Sequence, residues 1–142
     1  MTRINPLFID NVENEPKLYP SQLNKECGLV TRYVCYSDNN AHFGIYVPIP
    51  LIARISDFTP QNLNIYIQNT TFLKSSLGIV DSKQEPTINL DYWEYKLYEP
   101  VENSIKYIVT WGKAKYSLYV PKIEFSNTNY PDILRLSVKL MN

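Results

Sequence analysis

Residues 105–120 constrain this chain more than any other stretch. Ile105–Trp111 and Ala114–Val120 flank Gly112-Lys113, and Gly followed by any residue is the signature of a two-residue hairpin turn. Closing the chain there sets Trp111 opposite Ala114, Val109 opposite Tyr116, Tyr107 opposite Leu118 and Ile105 opposite Val120. Every member of these pairs is apolar or aromatic, and all share one face. The other face pairs Thr110 with Lys115, Ile108 with Ser117 and Lys106 with Tyr119. A slip of one residue would turn the apolar set to water, so pattern and turn together specify a single register. The expectation is a central antiparallel hairpin with Trp111 in its buried face.

The rest of the chain reads the same way. Leu29, Thr31, Tyr33 and Cys35 alternate with Val30, Arg32 and Val34, and Phe43, Ile45 and Val47 follow a Ser37-Asp38-Asn39-Asn40 turn signal. Residues 28–47 therefore predict a second hairpin. Leu51–Ile55 reads as a short strand. Leu63, Ile65 and Ile67 alternate with Asn64, Tyr66 and Gln68, a half-buried strand. Ile88–Tyr98 is one run with Trp93, Tyr95 and Leu97 on one face and Ile88, Leu90 and Tyr92 on the other. Leu134, Leu136, Val138 and Leu140 make a last strand with one wet face. Residues 1–26 lack such alternation and hold Pro6, Pro16 and Pro20. Proline fixes φ and removes a donor, so 1–26 reads as an irregular N-terminal arm, with one helical turn over 21–26 capped by Ser21. The arm's apolar anchors, Phe8, Ile9, Leu18 and Tyr19, would rest on the domain or on a partner subunit.

Seven to nine strands separated by Pro, Asn, Asp and Ser loops predict a single all-β domain over 27–142. The architecture expected is an antiparallel β-sandwich or jelly-roll-like fold. One echo stands out: Ile45-Tyr46-Val47-Pro48 and Leu118-Tyr119-Val120-Pro121. It reads either as a duplicated hairpin or as two Tyr- and Val-rich strands that each meet a terminating proline.

Composition removes several classes of function. Across 142 residues, 14 basic side chains balance 14 acidic ones, so no global field favours nucleic acid or an anionic membrane. No run approaches the roughly 20 apolar residues of a membrane span, and no secretory leader pattern opens the sequence. Cys27 and Cys35 read as two free thiols. That suits a reducing compartment, so a cytoplasmic or virion-associated protein is expected. Asn (14), Ile (14), Tyr (12) and Lys (10) are abundant while Ala (3) and Gly (4) are scarce. This is the coding signature of an AT-rich genome, such as a low-GC bacterium, a phage or another virus.

The search for chemistry returns no catalytic residues, no metal ligands and no cofactor. His42 is the one histidine. The turn places it across from Ser37 and beside Asp38, but three residues on one exposed hairpin end provide neither rigid separate supports nor an oxyanion hole. A Cys35/His42 pair fails because Cys35 belongs to the apolar face. Zinc needs four ligands of the Cys, His or carboxylate type at close spacing. Asp91, Glu94, Glu99 and Glu102 form a loose acidic stretch expected to be a solvated strand face. The glycines are too scattered for a nucleotide-binding loop.

Aromatic side chains remain. Tyr and Trp dominate interface energetics, and with Trp111 assigned to the hairpin core, Trp93 becomes the candidate exposed anchor. Trp93, Tyr95 and Tyr92 are the expected binding set. The function expected is a non-enzymatic protein-interaction module, for example a viral or phage structural or accessory protein. It would engage a protein partner or a second copy through an aromatic sheet face or the N-terminal arm. The alternatives are a small-ligand or carbohydrate-binding β-sandwich, and an enzyme whose carboxylates converge only in three dimensions.

Overall fold

The computed structural model describes residues 16–38, 41–70, 86–125 and 130–141. Among them are eight strands: β1 (Lys17–Glu26), β2 (Val30–Tyr36), β3 (His42–Pro48), β4 (Asn62–Asn69), β5 (Trp93–Pro100), β6 (Ser104–Trp111), β7 (Ala114–Pro121) and β8 (Ile133–Leu140). A short helix, α1 (Ile49–Ala53), follows β3, and a 3₁₀ turn, Lys122–Glu124, follows β7. Phe8 and Ile9 of the expected arm, and the loop residues Asn39, Asn40, Asn127 and Asn129, lie outside the described residues. No described helix is long and apolar enough to cross a membrane.

All eight strands belong to one antiparallel sheet in the order β3-β2-β1-β4-β8-β5-β6-β7. The sheet curls so that its edges, β3 and β7, approach one another. Leu29, Val30 and Tyr46 on one side and Lys115, Tyr116 and Tyr119 on the other line a groove of about 370 Å³ between them. The concave face holds the core. Tyr19, Tyr33, Ile45, Leu63, Trp93 and Tyr107 are among its largest fully buried side chains.

The strand order divides into two Greek keys. In each, three hairpin-linked strands are followed by a fourth that returns beside the first, the spatial order 4-1-2-3. β1–β4 form one key and β5–β8 the other, and they join where β4 pairs with β8. The correspondence reaches single hydrogen bonds. A bulge between Leu23 and Lys25 in β1 is matched by one between Leu97 and Glu99 in β5. The Leu23 N–H donates to the Gln61 carbonyl at 2.7 Å, and the Leu97 N–H to the Asp132 carbonyl at 2.8 Å. Tyr33 donates its hydroxyl to the Pro60 carbonyl at 2.7 Å, and Tyr107 to the Pro131 carbonyl at 2.8 Å. Ile49 N–H reaches the Leu29 carbonyl at 3.1 Å, and Lys122 N–H the Asn103 carbonyl at 2.9 Å. The Tyr-Val-Pro echo sits at equivalent places, ending the third strand of each key. Both prolines cap a helical turn, Pro48 at φ −60° and Pro121 at φ −58°. The two echoes therefore mark one plan used twice.

The 105–120 hairpin has the expected register at every pair, from Ser104↔Pro121 to Trp111↔Ala114, with Gly112 at φ 64°. β4 buries the expected face, and so does β8 from Leu134 to Val138, whereas Leu140 is exposed and Ile133 is buried. Cys27 and Cys35 are both free thiols, and burial pushes the Cys35 thiol up from its ordinary range.

Four expectations are corrected. Residues 17–26 are a strand in the middle of the sheet, so the irregular arm does not extend over them and 21–26 is not helical. Ser21, expected as a helix cap, instead donates to the Leu63 carbonyl at 2.8 Å across the strands. Pro20 is tolerated because β1 begins to pair with β2 only at Ser21↔Cys35, so the missing N–H falls where no β2 partner needs it. Residues 49–53 are helical rather than extended, because Pro50 lies in the first turn, where a fixed φ helps and an absent N–H is harmless. His42 pairs with Tyr36 rather than Ser37 and stacks on it edge-on at 4.7 Å. The 88–98 run is not one strand: β5 starts at Trp93.

Candidate functional site

Two halves built on one plan separate what the fold needs from what it does not. Under the shared register, Tyr19↔Ile65 corresponds to Trp93↔Leu136, and Ser21↔Leu63 to Tyr95↔Leu134. Between those pairs the first half has Pro20↔Asn64, and the second has Glu94↔Arg135. An ion pair thus stands where the same fold is content with neutral residues.

The halves also diverge in length. β1 continues along β4 through Leu18↔Tyr66 and Lys17↔Ile67, whereas β5 leaves β8 at Trp93↔Leu136. Asn89 is the cause. Its Oδ1 accepts the N–H groups of Asp91 and Tyr92, each at 2.9 Å, and its own N–H donates to the Tyr92 carbonyl at 3.0 Å. An Asn that satisfies backbone donors two and three residues on makes a tight turn, so the chain doubles back and Ile88 bridges Trp93.

Glu94 is fully buried. Its Oε1 accepts the Thr87 N–H at 2.9 Å and its Oε2 accepts Arg135 Nη2 at 3.2 Å. The Arg135 guanidinium carbon lies 3.8 Å from the centre of the Tyr92 ring. Held by a carboxylate and an aromatic face, this arginine has little freedom, yet its Nε is buried without a hydrogen-bond partner. Around it opens a cleft of about 420 Å³. Arg135, Ser137 and Lys139 of β8 line its floor, α1 and its C-terminus contribute Leu51, Arg54 and Ile55, and the Asn89 turn contributes Leu90, Asp91 and Tyr92. Arg54 Nε lies 3.6 Å from Asp91 Oδ1 across the mouth. Arg135 is balanced by Glu94 and Arg54 by Asp91, so Lys139 leaves the cleft with one excess positive charge.

Of the expected binding residues, Tyr92 lies in this cleft, but Trp93 and Tyr95 do not. Trp93 is 1% exposed and Tyr95 0%, whereas Trp111 is 49% exposed. The two tryptophans exchange their expected roles. β5 is flanked by β8 and β6, and its Trp93 face points into the curled sheet. Trp111 ends a strand at a solvent-exposed turn and covers Trp93 edge-on at 5.1 Å. Tyr116 packs on Trp93 at 4.8 Å. Glu94 is likewise no solvated residue. Sequence reasoning missed Glu94, Arg54 and Arg135 as a group because β5, β8 and α1 are distant along the chain and meet only through the strand order.

The other buried carboxylate lies on the opposite side of the sheet. Glu124 accepts the Tyr19 hydroxyl at 2.6 Å. Burial, reinforced by the Glu124 charge and hydrogen bond, drives the Tyr19 phenol far above its ordinary range. Among the described residues no three His, Cys, Asp or Glu side chains gather in a way that could hold a metal ion. No protein-family model matches the chain, and no curated protein matches it.

Proposed function

We propose that this chain is a non-enzymatic interaction module whose working surface is the Arg135 cleft and whose partner presents acidic groups. The observation that carries the reading is the state of Arg135: oriented by Glu94 and Tyr92, with a buried Nε–H that has no partner. A guanidinium fixed in place loses little entropy on engaging a carboxylate, and its planar fork suits that geometry. The presence of the ion pair in one half only supports a role beyond folding. Absence of catalysis is supported by the separate commitments of Glu94 and Glu124 on opposite faces of the sheet. The AT-rich coding signature favours a low-GC bacterium, phage or virus as the setting. For the finer architecture we infer a jelly-roll-like closure, supported by the paired Greek keys and the converging edges β3 and β7.

The test is nuclear magnetic resonance of the Arg135 Nε–H, assigned by its loss in Arg135→Gln. Titration with polyglutamate should shift this resonance saturably, and polylysine should leave it in place. An Nε–H indifferent to polyglutamate would remove the reading. A small-ligand or carbohydrate function is the second reading. It is favoured by the cleft volume of about 420 Å³, which falls within the size of small-molecule sites. Saturation of the same resonance by glucuronate at concentrations where polyglutamate is silent would select it.

A further inference from the structure

The same cleft is also a break in the sheet. β4 pairs with β8 from Leu134 to Leu140, while β5 covers β8 only from Ile133 to Leu136. Among the described residues nothing pairs with the β5-facing edge of 137–140. An uncovered edge is a template for another strand. Four residues of β8 extend about 13 Å, and three of them, Ser137, Val138 and Lys139, line the cleft together with α1 and the Asn89 turn. The first Greek key shows that the position accepts backbone, because Lys17 and Leu18 fill the equivalent place beside Ile67 and Tyr66.

We infer that the β5-facing edge of Ser137–Leu140 receives a short extended segment of a protein partner, added antiparallel to β8, with acidic side chains facing Arg135, Arg54 and Lys139. This deepens the proposed function and rests on it. Charge complementarity selects the occupant, since Arg54, Arg135 and Lys139 stand against Asp91 and Glu94, which leaves the cleft with one excess positive charge. Strand addition takes its affinity from main-chain hydrogen bonds and its specificity from alternate side chains. In the arriving segment, alternate residues would meet the cations and the rest would lie toward Leu51 and Ile55.

The probe is a fluorescein-labelled peptide of alternating valine and glutamate, followed by anisotropy on the full chain. Two further peptides carry N-methyl groups on alternate residues, one set on the valines and the other on the glutamates. A strand on an edge uses the N–H groups of every second residue. One methylated set should therefore weaken binding at least tenfold while the other binds as the parent does, and Arg135→Gln should weaken the parent at least tenfold. If both methylated peptides bind as the parent does, or both fail alike, strand addition is wrong. The acidic-partner reading still stands in that case, provided Arg135→Gln abolishes binding. If an alternating valine and lysine peptide binds as tightly as the glutamate one, the occupant is wrong. No binding by any glutamate peptide, with Arg135 Nε–H unmoved, sinks this inference and the proposed function together.

Discussion

Trp93 and Trp111 carry the same side chain in two different environments, and the difference lies in what surrounds each strand. Trp93 is enclosed by Tyr116 and Trp111 at ring separations of 4.8 and 5.1 Å. Emptying such a site removes buried area and leaves a cavity. Trp93→Ala should therefore cost about 3–5 kcal/mol, the range for truncating a large aromatic core residue. Trp111→Ala removes one edge-on contact from a half-exposed ring and should cost only about 1 kcal/mol. Urea denaturation of both variants checks the ranking, and equal costs would contradict the packing described. Alternation in the sequence places Trp93, Tyr95 and Leu97 on one face correctly. It does not say which face is inside, because Tyr and Trp serve either environment. That depends on which strands flank β5.

At the scale of elements, local signals held where pattern and turn chemistry agreed, and failed where a side chain overrode the pattern. The β6–β7 hairpin was legible throughout because Gly112 and four apolar cross-strand pairs specify one register. β1 was hidden because its outward residues include Pro20 and Gln22, and its run of polar residues resembles a helix start. The end of β5 was hidden because Asn89 turns an alternating stretch back on itself. The tyrosine anchors offer a test of the repeated plan. Tyr33 and Tyr107 each tie a second strand to the proline before a fourth strand. Tyr33→Phe and Tyr107→Phe should each leave a buried carbonyl unpaired and cost about 1–2 kcal/mol. Differential scanning calorimetry should find the two losses similar. A large cost for one and none for the other would show that the halves do not share this device.

At the scale of the whole molecule, the described residues form a single curled sheet lined with tyrosine, and this sets an alkaline limit. Burial, with a smaller contribution from the Glu26 charge, pushes the Tyr33 phenol from 10.0 up to about 12. Burial raises Tyr95 and Tyr107 still further. Below pH 10 these groups are protonated in both folded and unfolded chains and their stabilisation is intact. Above it the unfolded chain releases protons that the folded chain keeps, so stability falls as pH rises through 10 to 12. Circular dichroism and absorbance at 295 nm, followed together, should show buried tyrosines ionising only as the sheet unfolds. Full ionisation with the sheet intact would contradict this. At this scale the sequence displayed the all-β class and the Tyr-Val-Pro echo. The repeated plan needed the strand order, because equivalence here is carried by register, bulges and hydrogen bonds rather than by shared residues.

In the proposed function, Glu94 and Arg135 serve binding and not the fold. Removing one member of a buried pair strands its partner, whereas replacing both with neutral groups of similar shape is often nearly neutral. The double variant Glu94→Gln/Arg135→Gln keeps an acceptor for the Thr87 N–H and matches the neutrality of Pro20 and Asn64 in the other half. The decisive measurement is its melting temperature alongside its affinity for the labelled valine-glutamate peptide. The double variant should melt within a few degrees of the parent and lose at least tenfold in affinity. A double variant that binds the peptide as the parent does, or that fails to fold, would contradict that role.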